Sequence, residues 1–441
     1  MSSSAKGGRS RRVLLVSPHF PPVNAPDHQR VRALLPHLVE TGWEAEVLCV
    51  DSPQVEGPRD DLLERTIPAC VRVHRCGAIP LGLARTLRCG QIGYRAYFHL
   101  RAAGDRLLRT GRFDLVFFST AIFETLALGP HWKRRFGVPY MVDLHDPWVT
   151  DYYDRPGAAA PPGGRLKFAL AQCIARCCEP RVMREAAHVI CVSPDYPKAL
   201  RRRYPDLPEE RFSVVAFAAP QHDFEALDRL PLGPAIWGPC GGKPRWLYLG
   251  RVVPAMRLPL AGLMRWLGAA ANSTDAGPEL WFVGTKYLGT DQTESLVGKI
   301  ARAEAVSDRV KEHEARVPYF DGLRLLQTAA VVLVVGSDDP SYTASKVYSV
   351  LLAGRPVLAL IHRQSAAAER LSGSSNAVVI PFDGTDTPGD IARRLEQTVG
   401  SAAQPRMPEH LEVRQEQLAP FTDRGMTITV VSIMNRLLHG G

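Results

Sequence analysis

No stretch of the 441-residue chain stays apolar for the about 18 positions that a membrane-crossing helix needs, so no span is expected. No G-x-G-x-x-G turn is present to cradle a dinucleotide. The one lysine-bearing turn, GPCGGKP, is not a Walker loop. Trp237 stands where its first glycine belongs and Pro244 where Ser or Thr belongs. No D-x-D pair offers carboxylates to a divalent ion, and neither a metal nor a resident cofactor is expected. The nine cysteines are odd in number and form no C-x-x-C pair, which suits reduced thiols and a cytoplasmic protein. Cys173 and Cys177 lie one helical turn apart with Cys178 adjacent, but with no histidine or further pair nearby, packing is a better reading than zinc. The opening MSSSAKGGRSRR lacks the apolar core of a secretory leader, and residues 1–11 read as a disordered tail. No nucleic-acid module is recognisable. The net charge of 54 − 45 = +9 therefore points to acidic ligands or to an anionic membrane surface. A peripheral position at the inner face of the membrane is the second expectation for location.

What is present is alternation. The length exceeds what one ordinary core supports and suggests two domains. Apolar runs near 12–17, 44–50, 71–75, 114–119, 139–144, 187–193 and 212–217 read as strands, separated by helical patterns. After a polar, proline-rich stretch at 220–244 the pattern restarts, with strands near 245–249, 280–284, 310–314, 331–336, 356–361 and 377–381. Strand and helix alternating in both halves imply an α/β protein with parallel sheets. Open sheets of that kind bind ligands beyond the carboxyl ends of their strands. Three such ends carry polar chemistry. The loop PHFPPVNAPDHQR after the first strand offers Asn24, Asp27 and Arg30; the fifth strand runs into His145-Asp146-Pro147-Trp148; the first strand of the second half ends in Gly250-Arg251.

The stretch 337–361, SDDPSYTASKVYSVLLAGRPVLALI, reads as loop, helix, turn and strand. Ser345 or Thr343 can cap a helix starting near Lys346, and Gly354 ends it. Free amides at that helix start, with Lys346 beside them, suit an anion.

These segments resemble the retaining glycosyltransferases of family 4, which have a GT-B fold. Ser345-Lys346-Val347-Tyr348 and Ala353-Gly354-Arg355-Pro356-Val357 fit the family's donor-binding segment. Pro21, Pro22 and Arg30 fit its first loop, and residues 143–148 are similar to its D-x-(R/H)-D-x-W motif. Residues 179–193 fit a further segment, with His188 at a position usually held by aspartate. The resemblance spans nearly the whole chain, but the hallmark glutamates eight positions apart are replaced by Ser341 and Ser349.

The resemblance implies two Rossmann-like domains facing across a cleft. An acceptor-binding domain at 12–220 and a linker at 221–244 would be followed by a nucleotide-sugar-binding domain at 245–420. A last segment, 421–441, would cross back onto the first domain. It implies transfer of a sugar from a nucleotide diphosphate sugar to a glycan, lipid-linked or small-molecule acceptor, with retention and without a metal. Arg251, Arg257, Ser345 and Lys346 would grip the donor phosphates. Asp338, Asp339, Ser341 and Ser349 would approach the sugar and ribose. His145 and Asp146 would serve catalysis, and Asn24, Asp27 and Arg30 the acceptor side. Blander readings stand beside these: turn and cap chemistry for Asn24 and Asp27, a satisfied buried histidine for His145, and surface solvation for Arg251 and Lys346. The lost glutamates also leave room for a non-catalytic scaffold or binding subunit; a sugar-nucleotide epimerase is the third class. The arginine-rich helices near 85–109 and 165–184 could lie on anionic lipid or pack on the sheet. The loop at 151–164 reads as a lid or acceptor loop.

Overall fold

The computed structural model describes residues 10–86, 90–151, 153, 161, 164–233, 236–237, 242–269, 277–286, 294–338, 347–374, 376–407 and 418–439. The chain forms two compact units, Met1–Ala218 with Asp423–Gly441, and Ala219–Thr422.

The first unit is built on seven strands: β1 (Arg11–Val16), β2 (Trp43–Val50), β3 (Arg72–Cys76), β4 (Leu115–Thr120), β5 (Tyr140–Leu144), β6 (His188–Cys191) and β7 (Phe212–Val214). All pair in parallel, in the order β3-β2-β1-β4-β5-β6-β7. The period of two along a strand divides the core between the two faces of the sheet. Leu14, Val16, Val116 and Phe118 point into one cluster, with the helices α3 (Ile92–Thr110), α4 (Leu128–Phe136) and α5 (Arg165–Glu185). Val13, Leu15, Leu115 and Phe117 point into the other, where α1 (Gln29–Leu38) packs. Strands buried on both faces read as continuous apolar runs, which is why they were visible in the sequence. A short helix, α2 (Leu81–Thr86), precedes α3, and α6 (Asp195–Arg203) precedes β7.

The second face is completed by the final helix, α14 (Asp423–His439). Met426, Val430, Ile433 and Met434 join Val31, Leu34, Leu35 and Leu38 of α1. Asn435 Oδ1 accepts hydrogen bonds from Arg11 Nη1 at 2.5 Å and Trp43 Nε1 at 3.1 Å. The return of the last segment to the first domain is thus observed.

The second unit opens with α7 (Gln221–Ala226), inside the proline-rich stretch, and then repeats the alternation. Strands β8 (Arg245–Leu249), β9 (Glu279–Val283), β10 (Val310–His313), β11 (Val331–Val335), β12 (Val357–His362) and β13 (Ala377–Phe382) form a second parallel sheet, in the order β10-β9-β8-β11-β12-β13. Its helices are α8 (Arg257–Ala269), α9 (Leu296–Ala303), α10 (Tyr319–Thr328), α11 (Val347–Leu352), α12 (Ala366–Ser372) and α13 (Pro388–Val399). Each sheet reverses strand order once, between β1 and β4 in the first and between β8 and β11 in the second. Among the described residues no helix is long and apolar enough to cross a membrane.

Candidate functional site

In the first unit the reversal point gathers polar side chains from four loops and strand ends. Asp143, the penultimate residue of β5, is fully buried. Its Oδ2 lies 2.7 Å from Arg30 Nε, accepts from Ser119 Oγ at 2.7 Å, and is 2.8 Å from His145 Nε2. Ser119, at the end of β4, also sits 3.0 Å from that imidazole nitrogen. Arg30 is 1 % exposed. It donates to the carbonyls of Val215 at 2.7 Å and Ala216 at 3.3 Å, and its guanidinium lies 4.9 Å from the ring centre of Phe217. The same ring meets His145 edge-on at 5.1 Å. Burial alone would raise the Asp143 carboxyl, but Arg30 and His145 outweigh it and hold it below the usual carboxylate range. His145 is thus anchored through Nε2, and its buried Nδ1 has no hydrogen-bond partner among the described residues.

A second carboxylate lies alongside. Asp27 accepts from Thr120 Oγ1 at 3.0 Å and pairs with His19 Nδ1 at 2.8 Å. Burial pushes its carboxyl up, while the His19 hydrogen bond and nearby imidazoles hold it below its ordinary value. Asn24 is buried, its backbone amide bonded to Pro58 O at 2.8 Å. Asp146 is exposed. Helix α5 fixes the loop that follows His145. Gln172 donates to Trp148 O at 3.1 Å and accepts from Thr150 N at 3.0 Å; two turns on, Glu179 accepts from Val149 N at 3.3 Å.

In the second unit the loops beyond β8 and β11 converge. Arg251 and Arg257 are exposed in and just after the β8 loop, and Arg251 O accepts from Tyr248 Oη at 2.8 Å. Asp338 is exposed beyond β11, its amide bonded to Ala255 O at 3.0 Å. Ser349 is half-buried on α11. Asp339, Ser341, Ser345 and Lys346 lie outside the described residues, as does most of the loop at 151–164. Among the described residues no group of three His, Cys, Asp or Glu is placed to hold a metal ion.

Residues 28–218 match the glycosyl transferase 4-like domain model, a segment that lies wholly in the first unit. The chain carries a glycosyl transferase 4-like domain. The match covers the first unit only, and the two-sheet architecture of the chain is the GT-B fold. Sucrose-phosphate synthase from Thermosynechococcus elongatus is similar at a TM-score of 0.59 and 15% identity, covering 98% of this chain and 100% of that one. Anabaena HepE, solved in complex with UDP, is similar at a TM-score of 0.57 and 15% identity, over 96% of this chain and 99% of that one. The UDP-GlcNAc 2-epimerase of Methanocaldococcus jannaschii is similar at a TM-score of 0.51 and 10% identity, over 96% and 99%. At these identities the likeness concerns the fold. No curated protein matches in sequence.

Ser119, Thr120, His19 and Phe217 were not singled out in the sequence, and Asp143 entered only as the first position of the D-x-(R/H)-D-x-W match, with no role assigned. The signal for Asp143 was present, as an acid inside the apolar run PYMVDL. A lone acid in a strand buried on both faces must meet a partner.

Two other buried histidines make the unit sensitive to acid. Burial, with Arg32 next, pushes His28 down to about 3; burial, with Arg436 next, pushes His188 down to about 4. Both stay neutral in the folded chain, whereas the unfolded chain protonates them near the ordinary histidine value of 6.5. Below that pH the unfolded state binds more protons, so stability should fall as pH falls, until His188 and then His28 protonate in the folded state. For His28 alone the loss is roughly 1 kcal/mol between pH 6.5 and 5.5. Urea unfolding at a series of pH values checks this, and His28→Gln should flatten the slope. A stability that holds level down to about pH 5 would count against it.

Proposed function

We propose that this chain transfers a sugar, with retention, from a nucleotide diphosphate sugar to an acceptor held by the first unit. The observation that carries the reading is the buried Arg30–Asp143–His145–Ser119 cluster at the strand-order reversal of the glycosyl transferase 4-like domain. Anabaena HepE, with the same fold, is described in complexes with UDP, with UDP and glucose, and with UDP-glucose, which supports a uridine-type donor.

In this reading His145 Nδ1 meets a hydroxyl of the transferred sugar or a phosphate oxygen. Asp143 orients the ring. Asp146, Asn24 and Asp27 shape the loops around the acceptor, and Arg30 secures them from inside. Arg251, Arg257 and Lys346, with the amides near Ser345, take the charge that develops on the departing diphosphate, in place of a metal ion. Asp338, Asp339, Ser341 and Ser349 stand toward sugar and ribose. The C1–phosphate bond breaks, the acceptor oxygen bonds to C1 from the same face, and its proton passes to the leaving phosphate oxygen. Free cysteines among the described residues fit a reducing, cytoplasmic location. The basic helices are compatible with an anionic membrane surface.

Ser341 and Ser349 favour a second reading, a non-catalytic binding subunit, since neither offers a carboxylate. An epimerase is supported only by fold. Calorimetry with UDP- and GDP-sugars, joined to an assay for nucleotide release, tests the assignment. Binding with turnover is the expected result; binding without turnover selects the second reading; no binding to any donor overturns the first.

A further inference from the structure

The first unit contains a groove of about 1260 Å³ between the loops beyond β1, β4 and β5 and the helices α2, α3 and α5. His19, which pairs with Asp27, and Trp148 are among its lining residues, so it borders the loops that carry the cluster described above. Its walls are largely apolar, with Ile92, Ile122, Phe123 and Phe168. At its lip Leu166 and Leu170, one turn apart on α5, are 83% and 64% exposed.

The charges in the groove are unequally matched. Arg95, on α3, is only 3% exposed. Its Nε donates to Ile79 O at 2.8 Å and its Nη2 to Gln54 O at 3.0 Å. Among the described residues it has no carboxylate partner. A guanidinium buried with carbonyls alone keeps an uncompensated charge, which is costly unless an anion completes it. Lys167 lines the same groove and is likewise unpaired among the described residues, whereas Arg85 at the rim is neutralised by Glu56 at 2.9 Å. The one carboxyl on the inner wall, Glu124, is held by Tyr94 and pushed above its usual range by burial. Its carboxyl can accept a hydrogen bond from a hydroxyl of the ligand.

Resting on the glycosyltransferase reading, we propose that this groove binds the acceptor, and that the acceptor is an anionic amphiphile. Its apolar chain lies along Ile122, Phe123 and Phe168 and leaves over Leu166 and Leu170, and its phosphate or carboxylate is met by Arg95 and Lys167. The hydroxylated end then reaches toward His19 and Trp148.

Binding is measured on the full chain without any nucleotide sugar, so the result is independent of turnover. Dodecyl phosphate, dodecyl maltoside and inorganic phosphate are titrated below micellar concentrations, with tryptophan fluorescence as the readout. Dodecyl phosphate should bind at least about tenfold more tightly than either of the others, because only it satisfies wall and charge together. Leu170→Asp and Lys167→Glu, both on exposed helix positions, should each weaken it about tenfold while leaving donor calorimetry and the melting temperature unchanged. Arg95→Gln, which retains part of the carbonyl bonding, should also weaken it about tenfold, with donor calorimetry unchanged and the melting temperature somewhat lowered. Equal binding of neutral and anionic probes overturns the anionic assignment; no binding of either dodecyl probe overturns the groove. Vesicles of phosphatidylglycerol and of phosphatidylcholine separate a membrane lipid from a free amphiphile. Capture by the former that dodecyl phosphate competes away supports the groove; capture that it cannot compete away means surface adsorption, and overturns it.

Discussion

Replacing Arg30 by alanine should destabilise the first unit by roughly 3–5 kcal/mol, the usual cost of leaving one partner of a buried ion pair alone. Asp143 is fully buried, and burial by itself disfavours its charge; Arg30 is the largest influence in the other direction. Without the guanidinium, Asp143 would retain Ser119 and His145 but lose its counter-charge, and the carbonyls of Val215 and Ala216 would lose their donors. Asp143→Asn should cost less, because an amide still accepts from Ser119, although Arg30 is then the unpaired charge. Arg30→Met combined with Asp143→Leu should recover much of the loss, since neither charge remains to be solvated. Denaturant unfolding, read with a probe in the first unit because two units need not unfold together, measures all four. An Arg30→Ala protein within 1 kcal/mol or so of the parent would mean that water or a relaxed backbone replaces the pair, contrary to this account.

His145→Ala should lower turnover about a hundredfold with little loss of stability. Its ring is 5% exposed and held on one side by Asp143 and Ser119, and the buried Nδ1 has no partner among the described residues, so substrate contact is assigned to that atom. With a proton on Nε2, Nδ1 accepts from a hydroxyl; when both nitrogens carry protons it donates to an oxyanion. Either contact strengthens as charge moves, so the loss should appear in kcat more than in KM. Removal leaves the Arg30–Asp143 pair in place, which is why the fold should survive. Nucleotide release from the donor, with and without acceptor, is the measurement. An alanine variant that keeps full kcat returns His145 to the role of a packed histidine.

The alternation of strands and helices was legible because a strand buried on both faces must be apolar throughout, and 114–119 or 331–336 can hardly be read otherwise. The strand ends were legible as places for chemistry, and Asn24, Asp27, Arg30, His145 and Asp146 fall there. Their division of labour was not. Arg30 looked like a loop residue aimed at substrate, yet it reaches inward to β5 and to the backbone of 215–216. Ser119 and Phe217 reach the cluster only once β4, β5 and the chain after β7 are side by side. The groove was illegible for the same reason. In the sequence Arg95 was one of many arginines on a basic helix, and nothing local distinguishes the buried one from its exposed neighbours. Arg165 and Lys167 on α5, by contrast, do face water.

Because α14 belongs to the first unit while residues 219–422 belong to the second, the order of synthesis differs from the order of packing. The face of the first sheet that carries Val31, Leu34 and Leu38 lacks Met426, Val430 and Met434 until the second unit has been made. At about 5–20 residues per second that interval is on the order of 10–40 s. During it the nascent first unit presents an apolar surface beside β1 and β2. A chain interrupted anywhere in the second unit would keep that surface open permanently, as a ready substrate for chaperones and proteases.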